Sequence, residues 1–448
     1  MTRNLILFII VLTSNFISAQ QATSSPYSFY GLGNLKFKGT VENQSMGGIS
    51  VYSDSIHVNL RNPASNAGSD LAFYNNEARP VKFSIGTSFS STTIQTESAR
   101  DSYGNTSVDY LAVSLPIKKF GIGFGILPLS SVGYSLQSKN ELDDIQFRYT
   151  GEGGINRVFL GLGYQFSKNI KIGVDGQYNF GNITNASVAF GYNNQGQLLQ
   201  FQSREVKRSD LGGVSFNIGM ILNKKISSSL FLNAAATYSP ESSMASENKN
   251  QSATISIDSN QVEYVDSSYN VDLEAVNLAR TNLILPSKST FGIGVGKPRK
   301  WFIGLDYTFL ETSKFTNRFI EIDNTTFEDA SSFSVGGFFI PKYDSFNRYW
   351  KRIVYRLGIR LEETGIVINN ESIDEFGISF GLGIPIGRLF SNANICFEWG
   401  QRGTTNKNLV EENFLNLNIS LSLNDRWFEK RKFNYCLLYT SPSPRDSG

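Results

Sequence analysis

The sequence predicts an all-β fold, a transmembrane antiparallel β-barrel of about fourteen strands closed around an N-terminal hatch. Three observations predict it. Leu415, Leu417, Ile419, Leu421 and Leu423 alternate without a break with Asn416, Asn418, Ser420, Ser422 and Asn424, and the two-residue period of a strand then gives one apolar and one polar face. The same rhythm recurs at 376–384 and 170–180. Beyond the N-terminal apolar run no stretch reaches the roughly 18 apolar residues of a membrane helix, and mean hydropathy is −0.20. Yet the chain carries 34 Phe and 20 Tyr. A soluble protein must bury such rings, whereas a barrel sets them at its two membrane interfaces.

In chain order, Arg3, the apolar run 5–12 and Ile17-Ser18-Ala19 fit a charged region, a hydrophobic region and a cleavage site, so 1–19 is expected to be a secretory signal peptide. Residues 20–79 are expected to fold as a hatch inside the barrel, being too few for a core of their own. The barrel itself is assigned to 80–434. Residues 435–448, beginning Tyr435-Cys436-Leu437, resemble translated sequencing adapter and are set aside as a non-native tail. Without Cys436 the chain has one thiol, Cys396, and no internal disulfide.

From residue 80 onward the alternation test places strands near 80–92, 107–118, 119–137, 156–167, 169–181, 205–222, 229–240, 288–298, 300–312, 330–340, 352–363, 373–386, 391–400 and 412–424. The count is even, as a closed bacterial barrel requires. Short links at 118–119, 167–169, 223–228, 297–300 and 387–392 follow even strands, with a middling link at 341–351. Long links are expected after odd strands, the longest at 241–287. Short periplasmic turns alternating with longer extracellular loops put both barrel ends in the periplasm. Tyr164, Phe166 and Trp301 beside short turns agree with a boundary position.

Charge narrows the function classes. With 41 basic and 39 acidic residues the net charge is +2, which gives no reason to expect nucleic acid as a partner. One histidine, His57, and two cysteines exclude ordinary Cys/His metal sites and leave no placed catalytic triad. The chain therefore reads as a non-enzyme without metal or cofactor, integral to the outer membrane of a Gram-negative cell, in contact with its lipid, and monomeric.

The segment before the barrel holds Ser45-Met46-Gly47-Gly48 and then Arg61-Asn62-Pro63-Ala64-Ser65. Pro63 has a fixed φ and pushes Asn62 out of the helical region, while the Asn62 amide can bond nearby backbone, so the motif is a rigid turn able to seat a hatch. Gly47, Gly48, Asp54 and Asn62-Pro63-Ala64, in that order, resemble the hatch motif of the FadL-type outer-membrane transport family, as a Bacteroidetes-like member. The chain continues Ser65-Asn66-Ala67 where the family commonly has Gly-Leu. The resemblance implies passive uptake of hydrophobic small molecules such as long-chain fatty acids, with lateral release through the third strand. In that strand Pro128 supplies no ladder hydrogen bond, and Pro128 and Gly133 are expected to flank a lateral opening or a simple bulge. Arg356 and Arg360, on the lumen-facing parity, are candidate contacts for a ligand carboxylate. The alternative reading is a barrel that partners or anchors proteins of type IX secretion.

Overall fold

The computed structural model describes residues 25–36, 38–54, 56–67, 81–97, 99–140, 144–258, 262–319, 324–386 and 391–425. The expected signal peptide, residues 68–79 of the expected hatch, and the tail with Cys436 lie outside the described residues.

Alternation organises the wall. Fourteen antiparallel strands close into a barrel: β1 Val81–Gln95, β2 Arg100–Ile117, β3 Phe120–Lys139, β4 Ile145–Gln165, β5 Ile170–Ala189 and β6 Gln202–Lys225. β7 runs in two pieces, Phe231–Ser239 and Ser242–Ile257, and β8 likewise, Arg280–Leu285 and Lys288–Lys297. Then come β9 Trp301–Leu310, β10 Ala330–Phe339, β11 Val354–Ile368, β12 Glu371–Pro385, β13 Asn392–Gly403 and β14 Glu411–Asp425. β14 pairs with β1 from Val81 opposite Asp425 to Gln95 opposite Glu411, so the barrel begins and ends at one rim.

Along β14 the burial is inside out relative to a soluble protein: Leu415 is 54% exposed and Ser420 only 1%. The same inversion puts Leu160, Leu162, Ile172, Val174, Leu357 and Leu361 on the surface. Such a continuous apolar belt is stable against lipid, and the sheet closes on itself through the β14–β1 pairing. A sandwich would instead bury these rows against each other.

The loops correct two expectations. The segment 241–287 is not a single loop: past Pro240 and Pro286 both β7 and β8 continue in register, with Ser242 opposite Leu285, and Glu263–Asn270 folds back on β7. Nor are all links after odd strands long, since β11 turns into β12 across Asn369 and Asn370, at φ 53° and 57°. The strands outrun their apolar pattern at this end. Backbone pairing continues beyond the bilayer, where both faces are wet and no alternation is needed, so a polar stretch such as 246–252 forms strand without announcing it.

Some lumen-facing rings fill the space above glycines of the neighbouring strand. The Tyr110 ring of β2 covers Gly86 of β1, and its hydroxyl accepts from the Val41 amide at 3.2 Å, joining wall to hatch. A Gly86→Val side chain would collide with that ring, and an overpacking loss of roughly 1–3 kcal/mol is expected as a lower urea midpoint. Gly104→Val, whose added Cβ would meet only a Ser90 carbonyl at 3.6 Å, is the neutral control.

Candidate functional site

The described residues between 25 and 67 lie within the ring and bond to walls on opposite sides. Near the loop end, Tyr27 packs with Ile368, Ile373 and Leu409. The chain then descends to a one-turn helix, α1, Val41–Gln44. Asn43 braces the bend after this helix: its side chain accepts from the Thr40 hydroxyl at 2.7 Å and donates to the Ile49 carbonyl at 2.7 Å. Gly47 and Gly48 turn the chain with φ of 70° and 90°, a conformation that favours glycine.

The two sequence motifs occupy opposite walls. Gly47 donates to the Ser379 hydroxyl of β12 at 3.0 Å, and Gly336, Gly358 and Gly381 of β10, β11 and β12 leave the space that Met46, Gly47 and Ser45 fill. Asn62, extended at φ −129°, accepts from the Ala64 amide and donates to the Met220 carbonyl of β6 at 3.1 Å. Behind it, Gly163, Gly173 and Gly219 of β4, β5 and β6 back directly onto Asn62, Pro63, Ala64 and Ala67; a Cβ on Gly163 would come within 2.6 Å of the Ala67 nitrogen. Between the walls, Asp306 of β9 accepts from the Ser50 amide at 2.6 Å and hydroxyl at 2.9 Å.

Charge fastens the same segment. Glu375 of β12 is buried among Lys38, Arg360 and Arg402; Arg360 also reaches Glu398 at 2.8 Å, and Arg402 donates to the Asn34 side chain at 3.0 Å. Arg360 is thus occupied by carboxylates of the wall, where a ligand carboxylate was expected. Arg356 donates to Asn394 at 3.0 Å and borders a cavity of about 1270 Å³ that opens toward the turn end. In that cavity's roof His57 Nδ1 lies 2.7 Å from Asp54. Burial alone would raise the Asp54 carboxyl; the charge and hydrogen bonds of His57, aided by Lys82, hold it well below the usual range. The buried His57 Nε2 faces Glu42 Oε1 at 3.8 Å and has no hydrogen-bond partner among the described residues.

β3 parts from β2. The two pair from Leu111 opposite Ile126 to Ile117 opposite Phe120, whereas β3 stays paired with β4 as far as Lys139, with Leu129 bulged between Pro128 and Ser130. The vacated edge is taken by the hatch. Asn34 and Leu35 pair with Ser131 and Ser130, the Lys36 amide donates to Leu129 at 3.0 Å, and the Ser28 hydroxyl bonds both the amide and the carbonyl of Gly133, at 3.1 and 3.0 Å. Proline explains the bulge, since it has no amide to offer.

Beside Leu129 lies a second cavity, about 200 Å³, on the loop side of the hatch, with Leu32, Leu35, Leu285, Phe315 and Phe327 around it and Lys38, Arg157, Lys288 and Arg402 also on its border. An apolar cluster adjoins it, contributed by Val132, Ile155, Ile183, Leu211, Met244 and Leu283 of consecutive strands. These inward apolar residues are absent from the sequence-based site. The signal was present, because Ile155 shares the inward parity of Arg157 and Ile183 that of Asn179, but a reading that assigns every inward position to polar residues passes over it.

Comparison with solved structures gives the fold. The barrel is similar to a FadL homologue of Pseudomonas aeruginosa (11% identity, 88% of this chain and 99% of that one, TM-score 0.56). It is also similar to the toluene transporters TbuX of Ralstonia pickettii (12%, 88% and 100%, 0.54) and TodX of Pseudomonas putida (12%, 90% and 98%, 0.52). No curated protein matches the chain in sequence. A family model described as BamG matches residues 1–434, and the chain belongs to the BamG family.

Proposed function

We propose that the protein is an outer-membrane channel for passive uptake of hydrophobic small molecules, with lateral release between β2 and β3. One observation supports this above the others: a cavity lined by leucine and aromatic side chains, with charged groups on its border, touches Leu129, the bulged residue at the point where β3 has left β2. A hydrophobic molecule entering from the loop side meets the inward cluster of Ile155, Ile183 and Leu211, then this cavity. It leaves past Leu129 once the backbone of Asn34–Lys36 gives up its bonds to β3, a replaceable plug because it contributes only a two-residue strand. The hatch seated on both walls closes the direct path to the cavity at the turn end.

Size selects among ligands. A cavity of about 200 Å³ suits a single ring, since about 150 Å³ lined by Leu, Ile and Phe already binds benzene. A long-chain fatty acid would have to displace Leu32–Leu35. The fold shared with toluene transporters makes toluene the first probe.

The test is uptake of labelled toluene, and in parallel of a labelled long-chain fatty acid, by cells with and without the protein. Toluene uptake is expected to rise with the protein and to fall several-fold in Leu129→Trp, whose indole fills the cavity, at unchanged protein level in the membrane. Uptake equal with and without the protein overturns the reading.

A further inference from the structure

The two rims of the barrel differ in charge, and the difference is independent of the transport reading. At the turn end Lys118, Lys119, Lys168, Lys225, Arg299 and Lys300 are exposed, whereas the only carboxylate among the described residues of those turns is Asp344. The loop end carries Asp144, Asp258, Asp272, Glu274 and Asp329. The loop end also exposes Arg100, Lys139, Lys249, Arg280 and Lys314, but among carboxylates, so it is mixed in charge, whereas the turn end is a ring of nearly unopposed cations.

The neighbours of these cations place them at lipid headgroup depth. Ile117 and Phe120, 52% and 59% exposed, bracket Lys118 and Lys119; Phe166 precedes Lys168 by two residues; Ile226 comes directly after Lys225. Arg352 lies over the ring of Tyr349 at 5.7 Å and Lys351 over that of Trp350 at 5.5 Å, and both rings are half exposed. Aromatic and aliphatic groups ending at a row of cations are the pattern of a membrane–water boundary, where the stems of lysine and arginine lie along apolar surface and their heads reach phosphate. A soluble acidic partner would need no such interleaving with lipid-facing side chains.

We propose that this rim binds the phosphates of anionic phospholipids in the leaflet it faces, gathering them as an annulus around the barrel. The attraction is electrostatic and falls with salt.

The experiment reconstitutes the full-length protein in phosphatidylcholine vesicles containing spin-labelled phosphatidylglycerol or, separately, spin-labelled phosphatidylcholine, and measures the motionally restricted fraction. Phosphatidylglycerol is expected to be restricted several-fold more, with the preference vanishing near 1 M salt, where the screening length is about 3 Å. A variant carrying Lys118→Gln, Lys119→Gln, Lys225→Gln, Arg299→Gln and Lys300→Gln is expected to lose the preference. A charge-matched variant at the loop end, with Arg100→Gln, Lys139→Gln, Lys249→Gln, Arg280→Gln and Lys314→Gln, is expected to keep it. Equal restriction of the two lipids by the unaltered protein overturns the proposal, and so does equal loss in both variants, which would mark a bulk-charge effect. Should the rim variant fail to fold, as read by heat-dependent gel mobility, the salt dependence of the unaltered protein still decides.

Discussion

Replacing Gly358 with valine is expected to unseat the hatch while the barrel stays closed. A Cβ at Gly358 would overlap the Gly47 nitrogen and the Met46 carbonyl carbon, both backbone atoms. Backbone cannot rotate aside as a side chain does. Gly47 is further held by its positive φ and by Ser379, so the turn cannot shift by a few tenths of an ångström and keep its bonds. Outside the lumen nothing changes, because the strand ladder of β11 with β10 and β12 does not involve the added methyl groups. Gly173→Val acts on the opposite wall against Ala64. The measurements are single-channel conductance in planar bilayers and limited proteolysis of residues 25–67, both expected to rise strongly in either variant and most in the double. Gly176→Val, whose nearest neighbour is a Phe216 ring atom at 3.9 Å, should behave as the parent. Parental conductance and protease resistance in both wall variants would refute the seating.

Removing the Glu375 carboxylate is expected to be the most destabilising single change in the lumen. Its side chain is 1% exposed and serves Lys38 of the hatch, Arg360 at 2.6 Å and Arg402 at 2.8 Å through Nε. Glu375→Ala takes away the carboxylate that three cations share and leaves Lys38 with Glu362, Arg360 with Glu362 and Glu398, and Arg402 with Glu412. Breaking a buried ion pair from one side costs roughly 3–5 kcal/mol, and these remaining acids put the expected loss toward the lower end of that range. Lys38→Met should cost less, because Lys38 is partly exposed and the two arginines keep their carboxylate. Unfolding in urea from lipid vesicles measures both. A Glu375→Ala midpoint equal to that of Lys38→Met would mean that the cluster contributes little beyond its neighbours' packing.

The wall was legible and its filling was not. Leu415 through Asn424 alternate because lipid and lumen impose opposite demands on adjacent residues, and that pressure writes the strand into the sequence. Residues 242–257 feel no such pressure above the bilayer, so their strand character was hidden among serines and asparagines. Asn62-Pro63-Ala64 was visible as a rigid turn, since proline fixes its φ, and Gly47-Gly48 only as part of a motif, since glycine permits many conformations and names none. What each turn touches was not visible, because Gly47 meets Gly358 and Ala64 meets Gly173 across long stretches of chain and around the curve of a closed sheet. Glycines at Gly358, Gly381 and Gly173 read as small lumen residues, whereas their work is to let another backbone approach. Arg360 looked available for the same reason: its partners Glu375 and Glu398 stand on neighbouring strands whose register only the barrel defines.

The fit of one segment against both walls makes the stopper a cross-tie as well as a seal. Because the turns at Gly47 and Ala64 press on glycine backbones on opposite sides of the lumen, neither wall can move inward without driving its turn toward the other, so the segment braces the cylinder's diameter against lateral pressure.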